Sequence, residues 1–177
     1  MNNLLAITAI GEDRPGIVDD LTSILLENNL NIEDSHMCVL GGEFAIILLV
    51  TGSAAAITHI QQQHDQLEQA LRLNLLIKPT QEKQAPINAI AYNLKVVGMD
   101  HPGIVNRLSR FLSSRNINIE DLETDSYPAP HTGTPMFSVN MIVDIPNDLA
   151  TSKLRDEFME LCDEQNLDAH FSPLEAP

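Results

Sequence analysis

The chain has 177 residues, 44% of them hydrophobic and 20% charged, with 25 acidic and 10 basic side chains and a formal net charge of −15. This balance opposes direct contact with DNA or RNA, because proteins gain most of their sequence-independent affinity for nucleic acid from cations that displace condensed counterions. Cys38 and Cys162 form no Cys-x-x-Cys pair, so neither a disulfide nor a metal is indicated, and the longest apolar run, 44–50, is far shorter than the roughly 20 residues of a membrane span.

Residues 4–10 read as a strand ended by Gly11. A helix is expected next: Asp13 can cap it, Pro15 suits its first turn, and Ile17, Val18, Leu21, Ile24 and Leu25 recur at helical spacing until Asn28-Asn29 stops them. A strand over 31–40 meets Gly41-Gly42, a hairpin signal, and a third strand over 43–50 follows. Ser53 then caps a second helix with the stripe Ile57, Ile60, Leu67 and Leu71, His64 lying on the same side, and 73–77 makes a last strand. The segment Pro79-Thr-Gln-Glu-Lys-Gln-Ala-Pro86 is polar and bracketed by prolines, as a linker would be.

The same order returns beyond it. Strand 90–97, helix 103–115, strands 117–126 and 136–143, a helix over 148–165 capped near Asn147, and strand 167–171 complete a second half. Gly11-Glu-Asp-Arg-Pro-Gly-Ile-Val18 reappears as Gly98-Met-Asp-His-Pro-Gly-Ile-Val105, and Asn31-Ile-Glu-Asp34 as Asn118-Ile-Glu-Asp121, both at an offset of 87. From Gly11 to Asp34, thirteen of 24 positions are identical between the copies. That offset exceeds the roughly 20 to 50 residues of a solenoid unit and fits a duplicated small domain. The expected division is a first domain over 1–79, a linker over 80–88 and a second domain over 89–174. Between the middle strands of the second copy, Pro128-Ala-Pro-His-Thr-Gly-Thr-Pro135 replaces the Gly-Gly turn and adds six residues when Phe137 is aligned with Phe44.

A βαββαβ chain with right-handed crossovers gives an α+β fold: two ferredoxin-like domains, each a four-stranded antiparallel sheet with two helices on one face. The uniformly apolar 44–50 run suits a strand covered on both faces, by the other half or by a second chain, or a slightly greasy central strand. Halves of this size have thin cores, so packing of the halves or oligomerisation is expected to add stability, a homodimer or higher assembly through the sheets. The N-terminus has no basic segment leading into an apolar one, and a cytoplasmic protein with no membrane contact is expected.

The repeated Asp-Arg/His-Pro-Gly-Ile-Val segment falls where a strand gives way to a helix. Unpaired N–H groups there, backed by the positive end of the helix dipole, suit a carboxylate. Gly16 and Gly103 let a small ligand approach the backbone, Asn31 and Asn118 can offer an amide, and Asp13 and Asp100 can hold an ammonium group. These are the partners of a free α-amino acid, although each residue also has a sufficient local role in starting a helix. No catalytic nucleophile, acid/base pair or dinucleotide fingerprint accompanies the repeat, and no enzyme is expected.

Strand, Gly-x-Asp-Arg-Pro-Gly-Ile-Val, helix, Asn-Ile-x-Asp resembles the ACT domain, the small-molecule regulatory module of many enzymes of amino-acid metabolism. Two such domains filling a chain with no catalytic domain resemble the glycine cleavage system transcriptional repressor family, down to Ile-Thr-Ala-Ile-Gly-x-Asp-Arg-Pro-Gly-Ile-Val18, Asn31-Ile-Glu-Asp-Ser35, Glu43-Phe44 and Thr51-Gly-Ser53. The resemblance implies an amino-acid-responsive regulator that restrains a DNA-bound activator by contacting it, with glycine or serine as ligand and no other cofactor. It implies ligands held between domains, with Asp13, Arg14, Pro15, Gly16, Ile17 and Asn31 as a first site and Asp100, His101, Pro102, Gly103, Ile104 and Asn118 as a second. His101 in place of Arg14 would make the second site weaker or pH-sensitive. A regulatory subunit acting in trans on a metabolic enzyme remains open. An RNA-binding ferredoxin-like domain would need exposed aromatics and basic flanks, and this acidic chain has two tyrosines and no tryptophan.

Overall fold

The computed structural model describes residues 3–82 and 88–174. The chain divides into two compact units, Met1–Lys83 and Gln84–Pro177. Most of the expected linker, 83–87, lies outside the described residues.

The first unit runs β1 (Asn3–Glu12), α1 (Ile17–Glu27), β2 (Asn31–Leu40), β3 (Glu43–Gly52), α2 (Ala54–Gln62), α3 (His64–Leu71) and β4 (Asn74–Thr80). The second runs β5 (Ala89–Met99), α4 (Ile104–Ser113), β6 (Asn118–Pro128), β7 (Pro135–Pro146), α5 (Thr151–Asp163) and β8 (Leu167–Pro173). The sheets are ordered β2-β3-β1-β4 and β6-β7-β5-β8, and every pairing is antiparallel. This is the βαββαβ arrangement that the sequence pattern predicts, twice.

Each core lies between a sheet and its helices. In the first unit, alternate β3 residues Phe44, Ile46, Leu48 and Val50 are buried with Leu5, Ile7 and Ala9 of β1. They meet Ile17, Leu21 and Leu25 of α1, which recur every fourth residue and so share one helical face. Removing each such Leu or Ile side chain from water contributes about 1.5–3 kcal/mol. The intervening β3 residues point away from the helices; Ile47 remains 51% exposed. The described residues therefore leave the outward side of the apolar run open at its centre.

Several boundaries differ from the sequence expectation. Helix α1 begins at Ile17 after Gly16, which is left-handed at φ 91°, and no side chain caps it. Asp13 does not cap the helix and Pro15 precedes its first turn, because the turn through Gly16 uses the Gly16 carbonyl to accept the Asp20 N–H at 2.9 Å. Ser53 does cap α2, accepting the Ala56 N–H at 3.1 Å. The helix expected to continue from there breaks at Gln63 into α2 and α3. Helix α5 starts at Thr151 behind Ala150 with no side-chain cap, since residues 146–149 form a turn in which Leu149 N–H donates to Pro146. Asn147 instead donates its backbone N–H to Asn88 at 2.8 Å. Strand β4 continues through Pro79, where the expected linker begins; as an edge strand it tolerates a residue without an N–H.

Candidate functional site at the strand-to-helix loops

In the first unit the loop after β1 is tied to the β2–β3 turn by a hydrogen bond from Asp13 N–H to the Gly42 carbonyl, 2.9 Å. A cleft of about 330 Å³ opens beside it. Asp13, Arg14, Gly16 and Ile17 line this cleft, joined by Val18, Asp19, Met37 and Phe44. Ile17 is only 2% exposed and lies at its base. The backbone N–H groups of Ile17, Val18 and Asp19 have no partner earlier in the helix, and they make an end receptive to an anion. A Cβ built on Gly16 would meet nothing within 4 Å, so the glycine serves the backbone conformation and leaves the approach open.

Arg14 is already engaged. Its guanidinium donates to Asp20 at 2.8 Å and to the Leu71 carbonyl at 3.3 Å, fastening the loop to α1 and to the end of α3. With Asp19 and Asp20 in the first turn of α1, the first loop is rich in acceptors for an ammonium group.

The second loop keeps the frame and changes the charges. Asp100 N–H donates to the Pro135 carbonyl at 3.0 Å, and Ser126 Oγ donates to the Asp100 carboxylate at 3.3 Å. Gly103 starts α4 from φ 100°, with Ile104 buried behind it. His101 Nδ1 lies 3.3 Å from the Pro102 carbonyl. The residue matching Asp20 at the 87-residue offset is Arg107, which donates to Gln165, and the first turn of α4 has no acidic side chain. The long β6–β7 loop, held by Ala129 N–H to Thr134 at 2.8 Å and Gly133 N–H to Ala129 at 2.9 Å, ends at Pro135 beside Asp100.

The asparagines are elsewhere. Asn31 pairs with Thr51, at the opposite end of β2 from the Gly42 turn, roughly 30 Å away at strand rise. Its side-chain N–H donates to Glu33 at 3.1 Å, and Thr51 Oγ1 donates to the same carboxylate at 2.6 Å. The Thr51 hydrogen bond, then that of Asn31, holds Glu33 below the usual carboxylate range. Glu33 sits where β2 bulges between Ile32 and Asp34. Asn118 likewise pairs with Asp144 and donates to Glu120. One unit alone thus brings Asp13, Arg14, Gly16 and Ile17 together but not Asn31, and Pro15 does not line the cleft. Met37 and Phe44 were missed; the hairpin signal at Gly41-Gly42 places both strand ends beside the loop and would have found them.

Among the described residues, the group closest to metal-ligand spacing is His64, Asp65 and Glu68. The two ring nitrogens of His64 face Asp65 at 3.0 Å and the Leu75 carbonyl at 2.9 Å, and Glu68 accepts the Leu75 N–H at 2.7 Å. That is a tether between α3 and β4, with both ring nitrogens already occupied.

The ACT domain profile matches residues 3–80 and 94–172. The glycine cleavage system transcriptional repressor of Escherichia coli is 30% identical over 162 residues, covering 92% of this chain and 85% of that protein. A UPF0237 protein of Methanopyrus kandleri is 42% identical over 64 residues, 36% of this chain and 70% of that one. A solved structure of an unknown protein from Galdieria sulphuraria matches 99% of this chain and all of its own, with TM-score 0.82 and 28% identity. This chain therefore belongs to the ACT-domain proteins, with two ACT domains in tandem, and within them to the family of the glycine cleavage system transcriptional repressor.

Proposed function

We propose that this protein is an amino-acid-responsive regulator, cytoplasmic and non-enzymatic, that acts on gene expression by contacting a DNA-bound activator rather than DNA. The observation that carries this reading is the repeated glycine-started helix with its unpaired N–H groups, beside a cleft lined in the first copy by Asp13, Arg14, Gly16 and Ile17. The N–H groups receive the carboxylate of glycine or serine, and the aspartates hold its ammonium group. Since Asn31 lies about 30 Å from the loop of its own unit, it serves a ligand held at a loop of a second copy of this chain, and Asn118 does the same. Sites shared across an interface let a ligand bind two arrangements with different affinity, which is the requirement for switching. The outward face of the first sheet, with Ala6, Ile47 and Leu49 lining a shallow cleft of about 280 Å³, supports homodimer packing.

Thermal denaturation against the twenty amino acids tests this reading, because a ligand that binds only the folded state raises the melting temperature. Glycine or serine is expected to stabilise the protein, and Asn31→Ala is expected to weaken that effect without unfolding it. A flat screen with the assembled protein overturns the sensor reading; capture of a biosynthetic enzyme instead of an activator turns it into a regulatory subunit acting in trans.

A further inference from the structure

Register across the first sheet lines up the residues on the face turned away from the helices. Lys78, Ala6, Leu49 and Asp34 form one row from β4 to β2, Leu76, Thr8, Ile47 and His36 the next, and Asn74, Ile10, Ala45 and Cys38 the one after. These positions alternate with buried Ile7, Ala9, Ile46 and Leu48, so they point outward. On the two central strands each row sets a smaller residue beside a larger one: Ala6 by Leu49, Thr8 by Ile47, and Ala45 by Ile10. The dent over Ala6 is the cleft of about 280 Å³ that Ile47 and Leu49 also line.

Charge singles out this face. The chain carries −15, yet these three rows hold one lysine and one aspartate, at opposite ends of a single row. Three strand spacings of about 4.8 Å put Lys78 and Asp34 roughly 14 Å apart, too far to pair within one chain. The outward face of the second sheet instead sets Asp121, Glu123, Asp125 and Asp168 against Lys95, so two such faces would repel.

We infer that the outward face of the β2-β3-β1-β4 sheet packs against the same face of a second copy, about a two-fold axis that runs parallel to the strands between β1 and β3. That axis lays β4 of one copy over β2 of the other. Lys78 then meets Asp34 of the second copy, twice by symmetry, while Leu49 settles over Ala6, Ile47 over Thr8 and Ile10 over Ala45. Packed sheets keep their strands aligned within about 30°, which this arrangement respects. An axis across the strands lays β4 over β4 and can never join Lys78 to Asp34. The inference rests on the homodimer reading above and gives it a face, an axis and an ion pair. The motif cleft, lined by Ile17, Val18 and Asp19 of α1, lies on the helix side of the sheet and stays open to a further copy.

The test is sedimentation equilibrium of the full chain without amino acids, with the fold of each variant checked by circular dichroism. The parent is expected as an even number of chains, and Ile47→Asp, at a position 51% exposed, should halve the mass. Should that variant fail to fold, Leu76→Lys replaces it. Lys78→Glu and Asp34→Lys move the net charge of the chain in opposite directions, from −15 to −17 and to −13. Each should nevertheless raise the dissociation constant by about fivefold or more, because symmetry turns two attractive pairs repulsive at once. The double variant, back at −15, should restore the parent value. An unchanged mass in the Ile47 variant, single variants that follow net charge alone, or a double variant no tighter than the singles overturns the inference and leaves a homodimer built on another face. A monomeric parent overturns the inference and the homodimer reading together. The sensor reading falls separately, on a flat amino-acid screen.

Discussion

Phe158 and His64 hold the same place in the two halves. Leu73 and Leu167 pack where a Cβ on Gly11 or Gly98 would collide, which sets an offset of 94 for the last helix and strand and aligns Phe158 with His64. In the second half Phe158 is fully buried, 5.7 Å from the Phe111 ring and 5.9 Å from Phe171, and Tyr92 extends the chain of rings. In the first half the helix breaks one residue earlier, and His64 points its ring at a backbone carbonyl with 35% of its side chain exposed. The first core is aliphatic apart from Phe44. One fold thus accepts a packed aromatic seam or a polar clasp at the same helix-to-strand junction.

The largest effect expected from this comparison is in the second half. Phe158→Ala removes the central ring of the seam and should cost about 3–5 kcal/mol, as large-to-small changes at well-packed aromatic sites do. His64→Ala, at the matching place, loses one exposed and one part-buried hydrogen bond and no packed ring, and should cost far less. Urea unfolding followed by the near-ultraviolet signal of Tyr92, which lies 5.1 Å from Phe171, reports the second core directly. Equal costs for the two substitutions would mean that His64 is a core residue in disguise, and the comparison would fail.

The motif loops should instead behave alike. Gly16 at φ 91° and Gly103 at φ 100° each start a helix from a left-handed conformation, with nothing near a new Cβ. Gly16→Ala and Gly103→Ala are each expected to cost about 1–2 kcal/mol, the penalty of holding an L-residue there. Valine at either place should cost more, because β-branching restricts it further. A marked inequality, measured by thermal unfolding of the two single variants, would show that the loops are not equivalent even as scaffolds.

These contrasts also show which parts of the structure the sequence could reveal. The chain order of the elements followed from the apolar runs and the turn residues between them, and the bounds of β2 from Asn28-Asn29 and Gly41-Gly42 on either side; burial does not mark that strand, since none of its residues is buried. The start of α1 did not follow from Asp13 and Pro15. Both are common first-turn residues, and only the handedness of Gly16, which spacing does not encode, moves the helix to Ile17. The break at Gln63 was hidden because Ile57, Ile60, Leu67 and Leu71 keep one helical stripe across it. Asn31 could be placed at the start of its strand, and the Gly41-Gly42 hairpin pairs it with the far end of β3; its distance from the loop follows only once Asp13 is known to bond Gly42, a tertiary fact.

The smallest expected effect is the pH response of the clasp. Asp65, through a hydrogen bond, and then the Leu75 carbonyl raise the His64 pKa above its ordinary 6.5, with Glu68 adding to them. Both ring nitrogens face acceptors, so only the doubly protonated ring donates to both. The clasp's contribution should be complete below about pH 6.5, the unfolded value, and should disappear as pH rises through the higher folded one. The second half has no such group at Phe158. Its ion pair runs the other way: the Arg115 hydrogen bond, assisted by its charge and by Lys153, holds Glu157 below 4.5, so that contribution is present above pH 4.5 and lost as acid protonates the carboxylate. Melting curves of the parent and His64→Gln between pH 5.5 and 8.5 should therefore converge at the alkaline end. Arg115→Gln should give a constant offset over the same range and lose it only in acid. Parallel His64→Gln curves would remove the proton from the clasp and leave a neutral imidazole donating to Leu75 alone.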